Sequence, residues 1–335
     1  MKFLFLLLAL AVTLSAQARG LTFMQYNTEN FFDTAHDEGT EDFTYLPLET
    51  KNAIPGFKEI CEKLGSEFYV KECLTLNWDS SHFDKKIANV SQVIRAFDDS
   101  GKGPDILVLQ EIENKTVLAQ LVTKGLRGMG YAHQAIIEGD DTRGIDNAVV
   151  SRYPIMAAKR YPIIFNGSKL DTRGILEVQI NVEGHKVVVY NNHWPSQSNP
   201  TEQRIESARL LSSLAQKQSG SLIIALGDFN TIETDLPSPF GFMPEFIDAE
   251  AQARLVRPDL HPGTYFYRGN WNSLDHIFIY KKSVLKPLYE KFQIIHRPFM
   301  MVLDARSGQM IPRRFNFSTA EGFSDHLPTA IELSF

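Results

Sequence analysis

The run Leu222-Ile223-Ile224-Ala225-Leu226 has no polar alternation, the mark of a strand buried on both faces, and it stops abruptly in Gly227-Asp228-Phe229-Asn230. Asp228 and Asn230 lie two apart, so they share a side if the strand continues that far. The same shape, an apolar interior with a polar end, recurs along the chain. Strand 21–26 leads into Asn27-Thr28-Glu29-Asn30, strand 105–109 into Gln110-Glu111, and strand 186–191 into Asn192-His193. Strand 274–280 carries Asp275-His276 at its start, and strand 329–335 follows Asp325-His326. Strands are also expected over 131–137, 145–151 and 173–182, the last turning at Glu183-Gly184 into a hairpin. Ile87, Val90, Ile94 and Phe97 at helical spacing predict a helix over 84–97, with Ser80-Ser81 as cap. A second helix is expected over 115–126. A third opens at Asn199-Pro200-Thr201-Glu202 and continues through Ile205, Ala208, Leu211 and Leu214. Residues 35–82 read as an irregular insertion with one short helix near 57–64, and 231–260 as loop. Helices alternating with strands and frequent hairpins predict an α/β fold of two packed sheets flanked by helices.

The first residues add a location. Lys2, the apolar stretch 3–12 and Ala16-Gln17-Ala18 form the pattern of a secretory signal over 1–18, too short to span a bilayer. The mature chain is then 19–335, soluble and secreted or periplasmic; a retained anchor is the alternative. Cys61 and Cys73 are the only cysteines, and in an exported protein an even count favours a disulfide over two free thiols. Without a nearby histidine pair they make a poor zinc site. The formal net charge of −6 does not favour nucleic-acid binding by overall charge, so such a partner requires a local basic patch or a divalent cation.

Six strand ends thus carry carboxylates, amides or imidazoles while the interiors stay apolar. Several carboxylates gathered in one pocket repel unless a cation sits among them, and an oxygen-rich set suits Mg²⁺, with Mn²⁺ or Ca²⁺ as alternatives. The segments Tyr26-Asn27-Thr28-Glu29-Asn30, Leu109-Gln110-Glu111, Asn192-His193, Gly227-Asp228-Phe229-Asn230, Leu274-Asp275-His276 and Ser324-Asp325-His326-Leu327-Pro328 resemble, in order, the motifs of the endonuclease/exonuclease/phosphatase superfamily, in its deoxyribonuclease-like, exported bacterial form. The resemblance implies one domain over 19–335 with a four-layer α/β sandwich, its two mixed, mostly antiparallel sheets packed together and flanked by helices. It also implies metal-dependent phosphoester hydrolysis.

Carried over residue by residue, the resemblance makes Glu111 the principal metal ligand, with Asp325, Asn27 and Glu29 beside it. Some members carry Asp at the place of Glu29. Asp228 and Asn230 position the water and the phosphate. His326, oriented by Asp275, lies beside the attacked phosphorus, and His193 protonates the leaving oxygen. The base is Asp228 or His326. His276 is read as structural. Three substrate readings follow: a nuclease acting on DNA or RNA, a hydrolase of lipid headgroups or small phosphoesters, and a non-catalytic module. The nuclease reading assigns substrate contacts to Arg143, Arg268 and Trp271, the last two from the aromatic segment 265–272.

Overall fold

The apolar runs become the central strands of two six-stranded sheets. A computed structural model describes residues 20–218 and 222–334, so the signal expected over 1–18 lies outside the described residues. One sheet has the strand order Lys286–Ile294, Thr329–Ser334, Gly20–Phe31, Ile106–Ile112, Asp146–Ser151, His133–Ile136. The other runs Phe246–Asp248, Asp275–Tyr280, Leu222–Asp228, His185–His193, Ile175–Val182, Ile155–Tyr161. Each sheet has one parallel pair at its centre and antiparallel neighbours elsewhere. Among the described residues there are seven α-helices: α1 Leu48–Ala53, α2 Phe57–Glu62, α3 Glu67–Thr75, α4 Ser80–Arg95, α5 Lys115–Gln120, α6 Thr201–Gln216 and α7 Ala249–Val256. This is the α/β sandwich that the pattern and the resemblance predict.

The sheets meet in a core that joins Tyr26 and Leu109 of one to Leu226 and Ile277 of the other, with Val90 and Ile94 of α4 packed against the first sheet. A separate cluster places Ala208 and Leu211 of α6 with Tyr190, Ile223 and Phe278 of the second sheet. Buried polar groups also cross between the sheets. Asn191 donates from Nδ2 to the carbonyls of Leu109 (2.8 Å) and Ala148 (2.9 Å), and its Oδ1 accepts from Gln110 Nε2 (2.8 Å). These are buried bonds of the kind that fix one relative placement, although Gln110 Oε1 itself has no partner.

The parallel pairing sets the site. His193 pairs with Asp228, and Asp228 with Asp275, so three chemistry-bearing residues stand in one row across three strands. Gly227 makes that row possible. Its φ is +137°, and a Cβ there would lie 1.9 Å from the Asn192 carbonyl oxygen. Because the clash is with backbone, Gly227→Ala is expected to cost about 3 kcal/mol or more, measured as a fall in denaturation midpoint.

Several elements differ from the sequence pattern. The cap of α4 is Asp79, whose side chain accepts from Ser81 and His82 N–H. The 35–82 stretch holds three helices rather than one, and 231–260 contains α7. Edge strands Ile155–Tyr161 and Lys286–Ile294 carry mostly exposed or half-buried residues, so they show no clean alternation to read. The Cys61–Cys73 disulfide is present and ties α2 to α3. Among the described residues no helix is long and apolar enough to cross a membrane.

Candidate active site

A cavity of about 1010 Å³ opens at the strand ends, and Glu111, His193, Asp228, Asn230, Asp325 and His326 all line it. The backbone is bent to present them. Glu29, Asn30, Glu111 and Asn230 all have positive φ, between 47° and 62°. Such conformations are costly for residues with a Cβ and gather where function over-determines the chain. Local bonds hold them: Glu111 Oε2 accepts from Asn30 N–H at 2.7 Å, and Asp228 Oδ1 from Asn230 N–H at 2.8 Å.

Asp228 is the hub. Its Oδ2 lies 3.5 Å from His193 Nε2 and 3.8 Å from His326 Nε2, and accepts from Asn27 Nδ2 at 3.1 Å. Burial, only partly offset by His326, raises the carboxyl to about 7, with Asp275 adding to the rise. Burial works against a charged His326, but Asp275 Oδ2 at 2.7 Å from Nδ1, backed by Asp228 and Asp325, holds it well above the ordinary histidine range. His193 is the reverse case. Burial and the positive charges of Arg173, Arg143 and His326 push it well below the ordinary range. Two imidazoles a few ångströms from one carboxylate therefore sit in opposite protonation states at neutral pH, a pattern that separates acid from base.

His276, adjacent to Asp275, points the other way, as successive strand residues do. Its ring nitrogens meet Asp248 Oδ2 and the Ser273 carbonyl, each at 3.0 Å. Burial opposes the charge, but Asp248 outweighs it and raises His276 to about 9. A histidine raised on folding contributes stability that is complete below its unfolded value near 6.5 and lost as pH rises through about 9. His276→Gln is expected to flatten the decline in melting temperature between pH 7 and 9.5.

Not every expected ligand faces the cavity in the expected way. Glu29 is buried; its carboxylate pairs with Arg314 Nε and accepts from the N–H groups of Phe315 (3.3 Å) and Asp325 (3.0 Å). A guanidinium thus stands where the sequence suggested a metal. Lys86, also buried, donates to the Glu29 (2.9 Å) and Phe323 (3.3 Å) carbonyls and ties this strand end to the loop that carries Asp325. Asn27 turns its NH₂ to Glu111 Oε1 (3.2 Å) and Asp228, with its carbonyl oxygen on Glu29 N–H, so it orients carboxylates. Arg268 and Trp271 do not line the cavity. Trp271 pairs across its hairpin with Phe266 and packs on the core, whereas the alternate residues Tyr265 and Tyr267 line the cavity. Arg268 sits at the turn, over the Tyr267 ring.

Arg143 does line the cavity, beside a residue that sequence reasoning passed over. Arg173 is buried, donates to Asp141 Oδ2 at 2.7 Å and to the Trp194 carbonyl at 3.1 Å, and keeps Nε without a partner. Arg143 holds the same carboxylate from Nε (3.2 Å) and Nη2 (3.0 Å). Two guanidiniums on one carboxylate leave a net positive charge beside the hub. The available signal was an Arg opening an otherwise buried strand.

Residues 61–334 match the model of the Endonuclease/Exonuclease/phosphatase family. The chain belongs to this family. It is thereby placed among hydrolases of phosphoester bonds. The endonuclease/exonuclease/phosphatase fold is shared with D. rerio TDP2 complexed with single-strand DNA product, at 16% identity over 94% of this chain and 99% of that one, TM-score 0.53. A Bacteroides thetaiotaomicron mannosyl-6-phosphatase matches at 16% identity over 94% and 100%, TM-score 0.52. A Staphylococcus aureus beta toxin mutant with bound magnesium ions matches at 15% over 93% and 99%, TM-score 0.52. No curated protein sequence matches the chain.

Family members use divalent metals, and the donor set here fits a lightly held one. Among the described residues no three His, Cys, Asp or Glu side chains are gathered as a metal cage. Mg²⁺ needs none, since it keeps most of its water and takes one or two carboxylates plus substrate phosphate. Glu111 and Asp325 both border the cavity, and each keeps part of its carboxylate exposed.

Proposed function

We propose that the chain is an exported, metal-dependent nuclease that cleaves DNA or RNA by in-line attack of water on phosphorus. The observation that carries this reading is a net-positive arginine pair, Arg143 and Arg173, on the same cavity as the Asp228–His193–His326 cluster and two tyrosine faces. That cavity offers a seat for phosphate and planar surfaces for bases.

In this mechanism Arg173 and Arg143 seat the phosphate. Asp228 takes the proton of the attacking water, its raised value matching the work of a base at neutral pH. The His326 imidazolium, fixed by Asp275, offsets charge growing on a phosphoryl oxygen and supplies a proton to the departing one. His193, held neutral, serves as a hydrogen-bond donor, which replaces the acid role expected from sequence. A divalent cation held by Glu111 and Asp325 would neutralise further charge on the phosphate. The disulfide and the expected signal support export.

The test is parallel digestion of single-stranded DNA, plasmid, RNA, sphingomyelin and a sugar phosphate, with Mg²⁺ and with chelator. Cleavage of nucleic acid that chelator abolishes is the expected result. Turnover of only the lipid or the sugar phosphate overturns the nuclease reading and keeps phosphoester hydrolysis; no turnover of any overturns both.

A further inference from the structure

One aromatic ring lining the cavity comes from the helical segment before α4. Tyr69 stands on α3, in the helical segment between the first strand and α4, and reaches the same cavity as Tyr265, Tyr267 and His326. It is 56% exposed, and its neighbour Phe68, against which it packs edge to face at 5.4 Å, is 68% exposed. Two adjacent solvent-facing aromatics contribute nothing to a core, so folding alone does not account for them.

The base beneath them, by contrast, is firmly fixed. Cys61 and Cys73 are fully buried and bonded. The buried Lys51 donates from Nζ to the carbonyls of Thr44 (2.8 Å), Cys73 (2.8 Å) and Leu76 (2.7 Å), so an ammonium closes the C-terminal end of α3. A rigid mount that presents an exposed ring at the catalytic cavity is the arrangement of a binding residue.

We infer that Tyr69 is a stacking platform for an unpaired nucleobase flanking the scissile phosphate, so that the α2–α3 hairpin selects single-stranded nucleic acid. This rests on the nuclease reading and goes further by naming the strand state and the residue that reads it. Bases in a duplex are already stacked on each other, whereas every base of a single strand offers a face to an aromatic ring. The charged side chains around the pair, Glu67, Lys71 and Glu72, are of mixed sign, which suits a stacking contact better than adhesion to an anionic lipid surface.

The experiment compares wild type, Tyr69→Ala and Tyr69→Trp on a single-stranded oligonucleotide and on the same oligonucleotide with abasic residues flanking the cleaved bond. Tyr69→Ala is expected to raise KM by about 5- to 150-fold on the first substrate, the value of one stacked base, with kcat little changed. Tyr69→Trp should restore KM, and the abasic substrate should not distinguish the variants. The Cys61→Ser/Cys73→Ser variant should show the same KM-selective loss. Equal loss on both substrates, or no loss on either, overturns the inference while leaving the nuclease reading in place. So does loss of binding to sphingomyelin-containing vesicles in a Phe68→Ala/Tyr69→Ala variant, which makes the pair a membrane contact. A wild type that cleaves no nucleic acid overturns both.

Discussion

Asp228→Asn is expected to lower the rate of phosphodiester hydrolysis by about 10²- to 10⁴-fold and, in the same protein, to raise thermal stability. The substitution keeps the shape of the side chain and one of its two acceptors, for Asn27 or Asn230, at the cost of the other hydrogen bond. What it removes is basicity. Asp228 is raised to about 7 without a cation, and a bound cation lowers it, so the rate should climb with pH through a midpoint at or below that value, because the base acts only when ionised. The variant should lose this limb of the profile. The stability effect has the opposite sign. A carboxyl whose folded value lies above its unfolded value near 3.9 is a growing burden as pH rises from about 4 to 7, since the fold resists its ionisation. At pH 8 and in chelator, Asp228→Asn should therefore be more stable, by about 2–4 kcal/mol on the size of the raised value. Activity lost together with stability would mean that Asp228 is an ordinary structural carboxylate.

How much of this could be read from the chain depends on distance along it. The central strands were legible because burial on both faces leaves no polar residue until the strand ends, as in Leu222–Asp228, where every position is buried. The disulfide was legible from cysteine number together with the export expected from the first residues. Pairing was not: that His193, Asp228 and Asp275 share one row follows from parallel and antiparallel registers that no single segment encodes. The role of Glu29 was hidden for the same reason, since its partner Arg314 lies 285 residues away. Trp271 and Arg268 belong to a segment that reaches the cavity, but they do not line it themselves. A three-residue strand gives too few positions for its alternation to show that Tyr265 and Tyr267, not Phe266 and Trp271, turn to the cavity. Tyr69 gave no signal at all, because an aromatic in a short, irregular-looking stretch is read as packing.

Glu111→Gln should reduce turnover by about 10²- to 10³-fold and should raise the Mg²⁺ concentration for half-maximal rate. Gln is the informative replacement. Glu111 sits at φ +62° and its carboxylate accepts from Asn30 N–H and Asn27 NH₂, so Ala would remove two acceptors at once and confuse a folding loss with a metal loss. Gln retains one acceptor oxygen, so it withdraws the charge and one hydrogen bond where Ala withdraws both. If Glu111 holds the cation, calorimetric titration of the variant with Mg²⁺ should show weaker binding even with no substrate present, and excess Mg²⁺ should recover part of the rate. Asp325→Asn should weaken binding less, because Arg314 Nη2 at 3.8 Å already draws on that carboxylate. Unchanged Mg²⁺ affinity in Glu111→Gln, alongside lost turnover, would move Glu111 from cation holder to a buttress for Asn27, and leave Asp325 to carry the metal.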